Sequence, residues 1–364
     1  MKRKSFLTLS LAASLFFFLT GFSPEPNTLS KSENASSKSL PRSTPEAENV
    51  NAAGISNYLK AVKVSGQDLH SLMILRHGNV VFETWLGENA ADKNHIMNSV
   101  SKTFTATAVG FAVSENRLKV TDKVISFFPD ILPKEISPYL KELEVRHLLT
   151  MSVGQNVALV NKVRDINGAD WMREILATPF ESRPGTVFDY NSLATYMLSA
   201  IVQKVTGQKV IDYLTPRLFE PLGIDGITWE ESPQGINLGG WGLYVKTEDM
   251  AKLGQFILQK GKWNGKQLIA KSWIDEMTTY KIASLPSGAK RDNLKMKPED
   301  SDWLQGYGYK MWMCRHNGIR ADGAGGQYII LLPEKDAVIV TTAQINDMQA
   351  EINLIWDYLL PALK

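Results

Sequence analysis

Two hairpin signals at opposite ends of the chain constrain its fold more than any other feature of the sequence. Near the amino end, SLMILRHGNVVFETWLG sets two runs of β-branched and apolar residues around His77-Gly78-Asn79. Near the carboxyl end, QYIILLPEKDAVIVTTAQI repeats the arrangement around a turn from Pro333 to Asp336. Runs of this kind, broken by turn-forming residues, predict hairpins. Between them, apolar residues fall at helical spacing. Phe104, Ala108, Phe111 and Ala112 share one face of a helix starting near Ser99, and Met250, Leu253, Phe256 and Ile257 share another. Leu193, Met197, Ala200, Ile201 and Val205 mark a third, which Gly207 stops. A last helix is expected from roughly Asp347 to Leu360. Strands at both ends with helices between predict an α/β fold of the α+β type: an antiparallel sheet built from both termini, flanked by helices, with a mainly helical insertion.

Composition narrows the function classes. Forty basic residues against thirty-eight acidic ones leave a net charge of +2, which offers nucleic acid or an anionic membrane surface no field to follow. Cys314 is the only cysteine, so intrachain disulfides and Cys-rich metal sites are excluded, and it reads as a small buried hydrophobe. The five histidines are scattered without paired spacing, so no metal centre is expected. Lys2, Arg3 and Lys4 precede an apolar run over residues 6–22, the form of an export signal or an uncleaved N-terminal anchor within residues 1–23. Residues 24–54 are rich in Ser, Pro, Asn and Glu and are expected to be a disordered tether, leaving 55–364 as the folded domain. Export places the protein in the periplasm or cell envelope.

Three segments carry candidate chemistry. In Asn98-Ser99-Val100-Ser101-Lys102, Ser99 stands where a helix begins and Lys102 follows one turn later on the same face. The helix end stabilises a developing anion, and a desolvated, neutral lysine can take the hydroxyl proton. A serine there is equally the ordinary helix cap, and Ser287-Gly288-Ala289-Lys290 matches the same pattern within a loop. In PGTVFDYNSLATYMLSAIV, Tyr190 lies in a short loop before a helix. A tyrosine close to a lysine ammonium is favoured as phenolate and can shuttle protons, whereas plain packing of the ring, with Ser192 as cap, explains it without chemistry. In Ala321-Asp322-Gly323-Ala324-Gly325-Gly326-Gln327, small residues at the entrance of an edge strand let a substrate lie on the backbone. Trp171, Trp241, Tyr244 and Trp312 are candidate pocket walls, although core packing accounts for each.

The order of these segments resembles that of the penicillin-recognising serine hydrolases: class C β-lactamases, DD-peptidases and related esterases. The resemblance runs from about Ser71 onward through EVRHLLTMSVGQ, GGWGLYVKTEDMAKLGQFILQKGKWNGKQLI and GYGYKMWM, and it is strongest to the 6-aminohexanoate-dimer hydrolase and family VIII esterase-like branch. It implies a β-lactamase/DD-peptidase-like fold, Ser99 as acylating nucleophile, Lys102 as its base and Tyr190 as their partner. It also implies an oxyanion hole from the N–H groups of Ser99 and Ala324. Asn191, Ser192, Gly323, Gly325 and Trp241 are the implied substrate contacts. Two departures are visible. Ser192 replaces the family's Asn, with Asn191 one place earlier, and the Lys-Thr-Gly strand motif reads Ala321-Asp322-Gly323. Without that cation, a penicillin or D-Ala-D-Ala carboxylate loses its orienting contact. The expected activity is hydrolysis of a small-molecule ester or amide, with no cofactor and no nucleic-acid partner. Acyl transfer, β-lactamase or carboxypeptidase activity, and a non-turnover envelope sensor remain as alternatives.

Overall fold

The structure, a computed structural model, describes residues 39–166, 168–285, 294 and 296–364. The N-terminal apolar run and the second Ser-x-x-Lys copy at Ser287–Lys290 lie outside the described residues.

Both hairpins form where their turn residues predict. Strand β1 (Leu69–Arg76) pairs with β2 (Asn79–Trp85) across His77-Gly78, both at positive φ. Short strands β3 (His95–Ile96), β4 (Thr228–Trp229) and β5 (Leu243–Val245) form a separate three-stranded sheet in the order β3-β5-β4, and β6 (Lys262–Trp263) and β7 (Lys266–Gln267) form a small hairpin. The last four strands are β8 (Trp312–Met313), β9 (Ile319–Gly323), β10 (Gln327–Leu332) and β11 (Ala337–Ala343). The main sheet runs β2-β1-β11-β10-β9-β8 with every pair antiparallel, so the two ends of the chain meet at its centre, Leu72 opposite Thr341 and Ile74 opposite Ile339.

Side chains alternate across this sheet, and the two faces bury different layers. Leu72, Ile74, Ile330 and Ile339 pack under helix α1 (Ala52–Ser65) and the C-terminal helix Met348–Leu354 with its continuation Ile355–Leu359. Met73, Leu75, Ile329, Leu331, Val338 and Val340 face the larger core, which holds the helix Thr247–Leu258 and the helical insertion.

The sequence places the start of the folded body too late. Segment 39–54, expected to be tether, is built into the body. Leu40 and Val50 are buried, Arg42 bridges to β2 at Val80, and its guanidinium forms ion pairs with Glu248 at 2.9 Å and Glu83 at 3.0 Å. Val50 pairs with Leu363, and Asn51 caps α1. The polar composition concealed a few anchors, of which Arg42 and Val50 reach partners as distant as Glu248 and Leu363.

Candidate active site

The site begins where β3 ends. The Met97 N–H donates to Leu243 O of β5 at 2.8 Å, and Asn98 turns the chain through a left-handed conformation, φ 45°. Asparagine tolerates that region better than most residues. A 3₁₀ turn, Asn98–Val100, then leads into helix α2 (Ser101–Ser114). Ser99 therefore stands on the turn before the helix, half-buried and open to solvent on one side.

One turn on, Lys102 is buried, 1% exposed. Its Nζ contacts Ser99 Oγ at 2.7 Å and donates to Gly240 O at 2.6 Å. Burial lowers its pKa to about 7, partly opposed by the negative charge of Asp322. The amine is thus a base near neutral pH, already on the hydroxyl it would deprotonate. Gly240 explains how its carbonyl reaches this depth. A Cβ there would lie 2.6 Å from Ser192 O, so only glycine lets the loop pass between α2 and the helix Ser192–Thr206.

Tyr190 completes the centre. Its hydroxyl lies toward the Ser99 side chain, which opposes the rise in its pKa, and its ring stacks on Trp312 with centroids 5.5 Å apart. Lys102 Nζ lies 4.9 Å from the ring centroid, over the face. Burial first, and Asp322 in addition, hold Tyr190 well above the ordinary tyrosine range, which favours the phenol over the phenolate expected from a neighbouring ammonium. The same desolvation lowers the Lys102 pKa, so that its neutral amine is about half populated at pH 7.

The Gly-rich segment is not the entrance of one strand. Asp322 and Gly323 end β9, residues 324–326 are the turn, and β10 begins at Gln327 in the sheet interior. The edge belongs to β9, because β8 pairs only with Ile319 and Arg320 and leaves Ala321 to Gly323 without a strand partner on that side, although all three are buried. Gly323 packs on the turn before Ser99, and a Cβ there would collide with the Met97 carbonyl. Asn98 Nδ2 donates to Ala324 O at 2.7 Å, which holds Ala324 beside the Ser99 turn. Gly325, at φ 85°, serves the turn, and its carbonyl accepts from the Ile345 N–H.

Other implied contacts separate. Asn191 is 1% exposed, and its Oδ1 accepts the Leu193 and Ala194 N–H groups at 2.9 and 3.3 Å, so it is the helix N-cap in place of Ser192. Ser192 is half-buried, with its carbonyl against Gly240. Trp241 follows Gly240 and stacks on Trp171 with centroids 6.4 Å apart, while Trp312 is both core and site wall.

The sequence reading missed two charged residues. Asp322, the acid expected beside the gap, is paired with Arg320 at 2.9 Å. Arg320 is fully buried, donates to Asp302 O at 2.7 Å and lies over Trp303 at 4.5 Å. Its position two residues before Asp322 on a strand, hence on the same face, was the available signal. Lys310 is buried within GYGYKMWM, where a lone charge in an aromatic run was the signal. A polar cavity of about 580 Å³ lined by Lys123, Glu144, Arg146, His147 and Arg183 contains none of Ser99, Lys102 or Tyr190. Its cations are spent on ion pairs, Lys123 and Arg146 with Glu144 and Arg183 with Glu142.

Comparison with known proteins bears on the family and the fold. Residues 67–362 match the family model described as Beta-lactamase. The 6-aminohexanoate-dimer hydrolase of Paenarthrobacter ureafaciens is 24% identical over 294 residues, covering 76% of this chain and 73% of that protein. A solved hydrolase with promiscuous acyltransferase activity superposes with a TM-score of 0.71 at 15% identity, covering 86% of this chain and 99% of that one. A family VIII carboxylesterase superposes with a TM-score of 0.65 at 13% identity, covering 85% and 96%. These two likenesses are of fold.

Proposed function

The chain belongs to the Beta-lactamase family, and from that premise we propose an exported serine hydrolase that cleaves a carboxylic ester or amide through an acyl-enzyme at Ser99. The observation that carries the reading is the 2.7 Å contact between Ser99 Oγ and a buried Lys102 whose pKa is brought to about 7.

In this mechanism neutral Lys102 accepts the Ser99 proton as Oγ attacks the carbonyl, and the N–H groups of Ser99 and Ala324 hold the oxyanion. Tyr190, a phenol rather than a phenolate, gives its proton to the leaving oxygen or nitrogen, which departs as alcohol or amine. The acyl-enzyme then stands beside a Tyr190 phenolate and a Lys102 ammonium. The phenolate takes a proton from the attacking water, and Lys102 returns its proton to Ser99 as the acid leaves. Both groups end as they began.

Substrate class follows from the β9 edge. The position of the family's strand lysine is Ala321, and the neighbouring Asp322 is already paired with buried Arg320. That arrangement suits an acyl group without a carboxylate at this point. The names of the relatives, a dimer hydrolase and a carboxylesterase, accord with such substrates.

Intact mass spectrometry during turnover of a short-chain p-nitrophenyl ester tests the proposal. A transient acyl adduct on Ser99, lost in Ser99→Ala together with labelling by a fluorophosphonate, is the expected result. Full hydrolytic activity in Ser99→Ala would overturn it.

A further inference from the structure

Lys310 takes no part in the proton transfers above, yet it is 2% exposed and every polar group it carries is tied to the catalytic elements. Its N–H donates to Leu149 O at 3.2 Å and its Nζ to Leu148 O at 2.6 Å, so one residue serves both terminal carbonyls of the helix Val145–Leu149. Such carbonyls have no partner within their own helix. The Lys310 carbonyl accepts from Thr103 Oγ1 at 3.0 Å, immediately after Lys102 on α2. Nζ also donates to Met151 Sδ at 3.2 Å.

Met151 is the link to Tyr190. Its carbonyl accepts from the Asp189 N–H at 2.9 Å and its Sδ from the Asn191 N–H at 3.4 Å, so hydrogen bonds to one methionine flank the tyrosine on both sides. Lys310 and Met151 both sit at φ 59°, a conformation few side-chain-bearing residues adopt and one that persists only where surrounding bonds demand it. Two residues beyond Lys310, Trp312 supplies the stack under the Tyr190 ring.

We infer that Lys310 is a positioning residue that holds Tyr190 on the nucleophile by fixing the Met151 turn to helix α2. A neutral amine has two N–H groups, matching Leu148 O and Met151 Sδ. Burial, and then the charge of Lys102, favours that neutral form. Lys310 thus acts through these hydrogen bonds as a brace. The inference rests on the hydrolase reading for its kinetic consequence, but not for its geometry.

Lys310→Met keeps the length of the side chain and removes both N–H groups. With a p-nitrophenyl ester, kcat is expected to fall on the order of tenfold or more, since misplacing a catalytic group by about 1 Å costs up to about a hundredfold. KM should stay within about twofold, and the pH limb of Lys102 should not move, as expected for a brace rather than a charge. Met151→Leu, which removes only the sulfur acceptor, should lower kcat less, and the double variant should be no worse than Lys310→Met alone. Unchanged kcat in either single variant, additive losses, or a fall matched by the unfolded fraction in circular dichroism would overturn the inference. Should Lys310→Met not fold, Met151→Leu carries the kinetic test by itself. A crystal structure of Lys310→Met, or of Met151→Leu in its place, separates this inference from the hydrolase reading. Tyr190 still in place beside Ser99 refutes the brace even if the wild type hydrolyses esters, whereas a displaced Tyr190 supports it even if no ester is turned over.

Discussion

Acylation should follow the titration of Lys102, and Asp322 should control where that titration falls. With a pKa of about 7 in place of 10.5, half of the lysine is neutral at pH 7. An ordinary lysine would be neutral in roughly one molecule in three thousand at that pH. The difference corresponds to about 5 kcal/mol at 1.36 kcal/mol per pH unit, drawn from burial of the side chain. The neutral form is the base, so the rate rises with pH. Between pH 6 and pH 8 the neutral fraction, and with it the rate of phosphonylation at Ser99, should increase about tenfold and then level off. The perturbation is Asp322→Asn. Asp322 opposes the lowering of the Lys102 pKa, so removing its charge moves the limb below 7. Arg320, deprived of its 2.9 Å partner, pushes the same way. Breaking a buried ion pair from one side costs roughly 3–5 kcal/mol of stability, so the folded fraction is followed by circular dichroism at each pH. A wild-type limb in the ordinary lysine range, or an Asp322→Asn limb that stays at 7 or rises, would refute the reasoning.

Three further outcomes are expected. Tyr190→Phe keeps the Trp312 stack and loses only the hydroxyl, so acylation by an alkyl ester or amide should slow by about 10²–10⁴-fold, with a much smaller loss in the acylation burst of a p-nitrophenyl ester that needs no protonated leaving group; equal losses in the two acylation rates would remove Tyr190 from the acid role. Gly323→Ala drives a methyl into the Met97 carbonyl and should cut kcat/KM by at least about tenfold while the melting temperature is checked alongside; an unaltered kcat/KM would show that β9 does not set the nucleophile turn. Glu351, buried against Tyr58 between α1 and the C-terminal helix, has its pKa raised by burial from 4.5 to about 7. The folded state therefore holds the proton more tightly, and its stabilisation, present below pH 4.5, is lost as pH rises to 7, roughly 3 kcal/mol in all. Urea unfolding at pH 5 and pH 8 should show that loss in the wild type and not in Glu351→Gln; equal slopes in the two would refute it.

Local pattern was enough for the elements. The hairpins at His77-Gly78 and Pro333 to Asp336, the helix stopped by Gly207 and the terminal helix capped by Asp347 form where turn residues and apolar spacing place them. The ordered motifs identified Ser99, Lys102 and Tyr190, and the structure brings the three into contact. What misled was polarity read locally. Segment 39–54 looked unable to fold because its anchors, Glu248 and Leu363, lie far along the chain. The capping role of Asn191 was not legible, because it depends on which way the amide turns.

The sequence by itself determined the α+β framework and the pairing of the two chain ends, since these depend on side-chain period and turn chemistry at short range, and its ordered motifs singled out Ser99 and Lys102 through a family resemblance. Only the tertiary structure decided the protonation states on which the chemistry turns. Burial lowers the Lys102 pKa to about 7 and raises that of Tyr190, and Asp322 is half of an ion pair with Arg320. Each of these is set by desolvation and by charges that a folded sheet and helix bring together from positions up to about two hundred residues apart, and no local pattern carries that information.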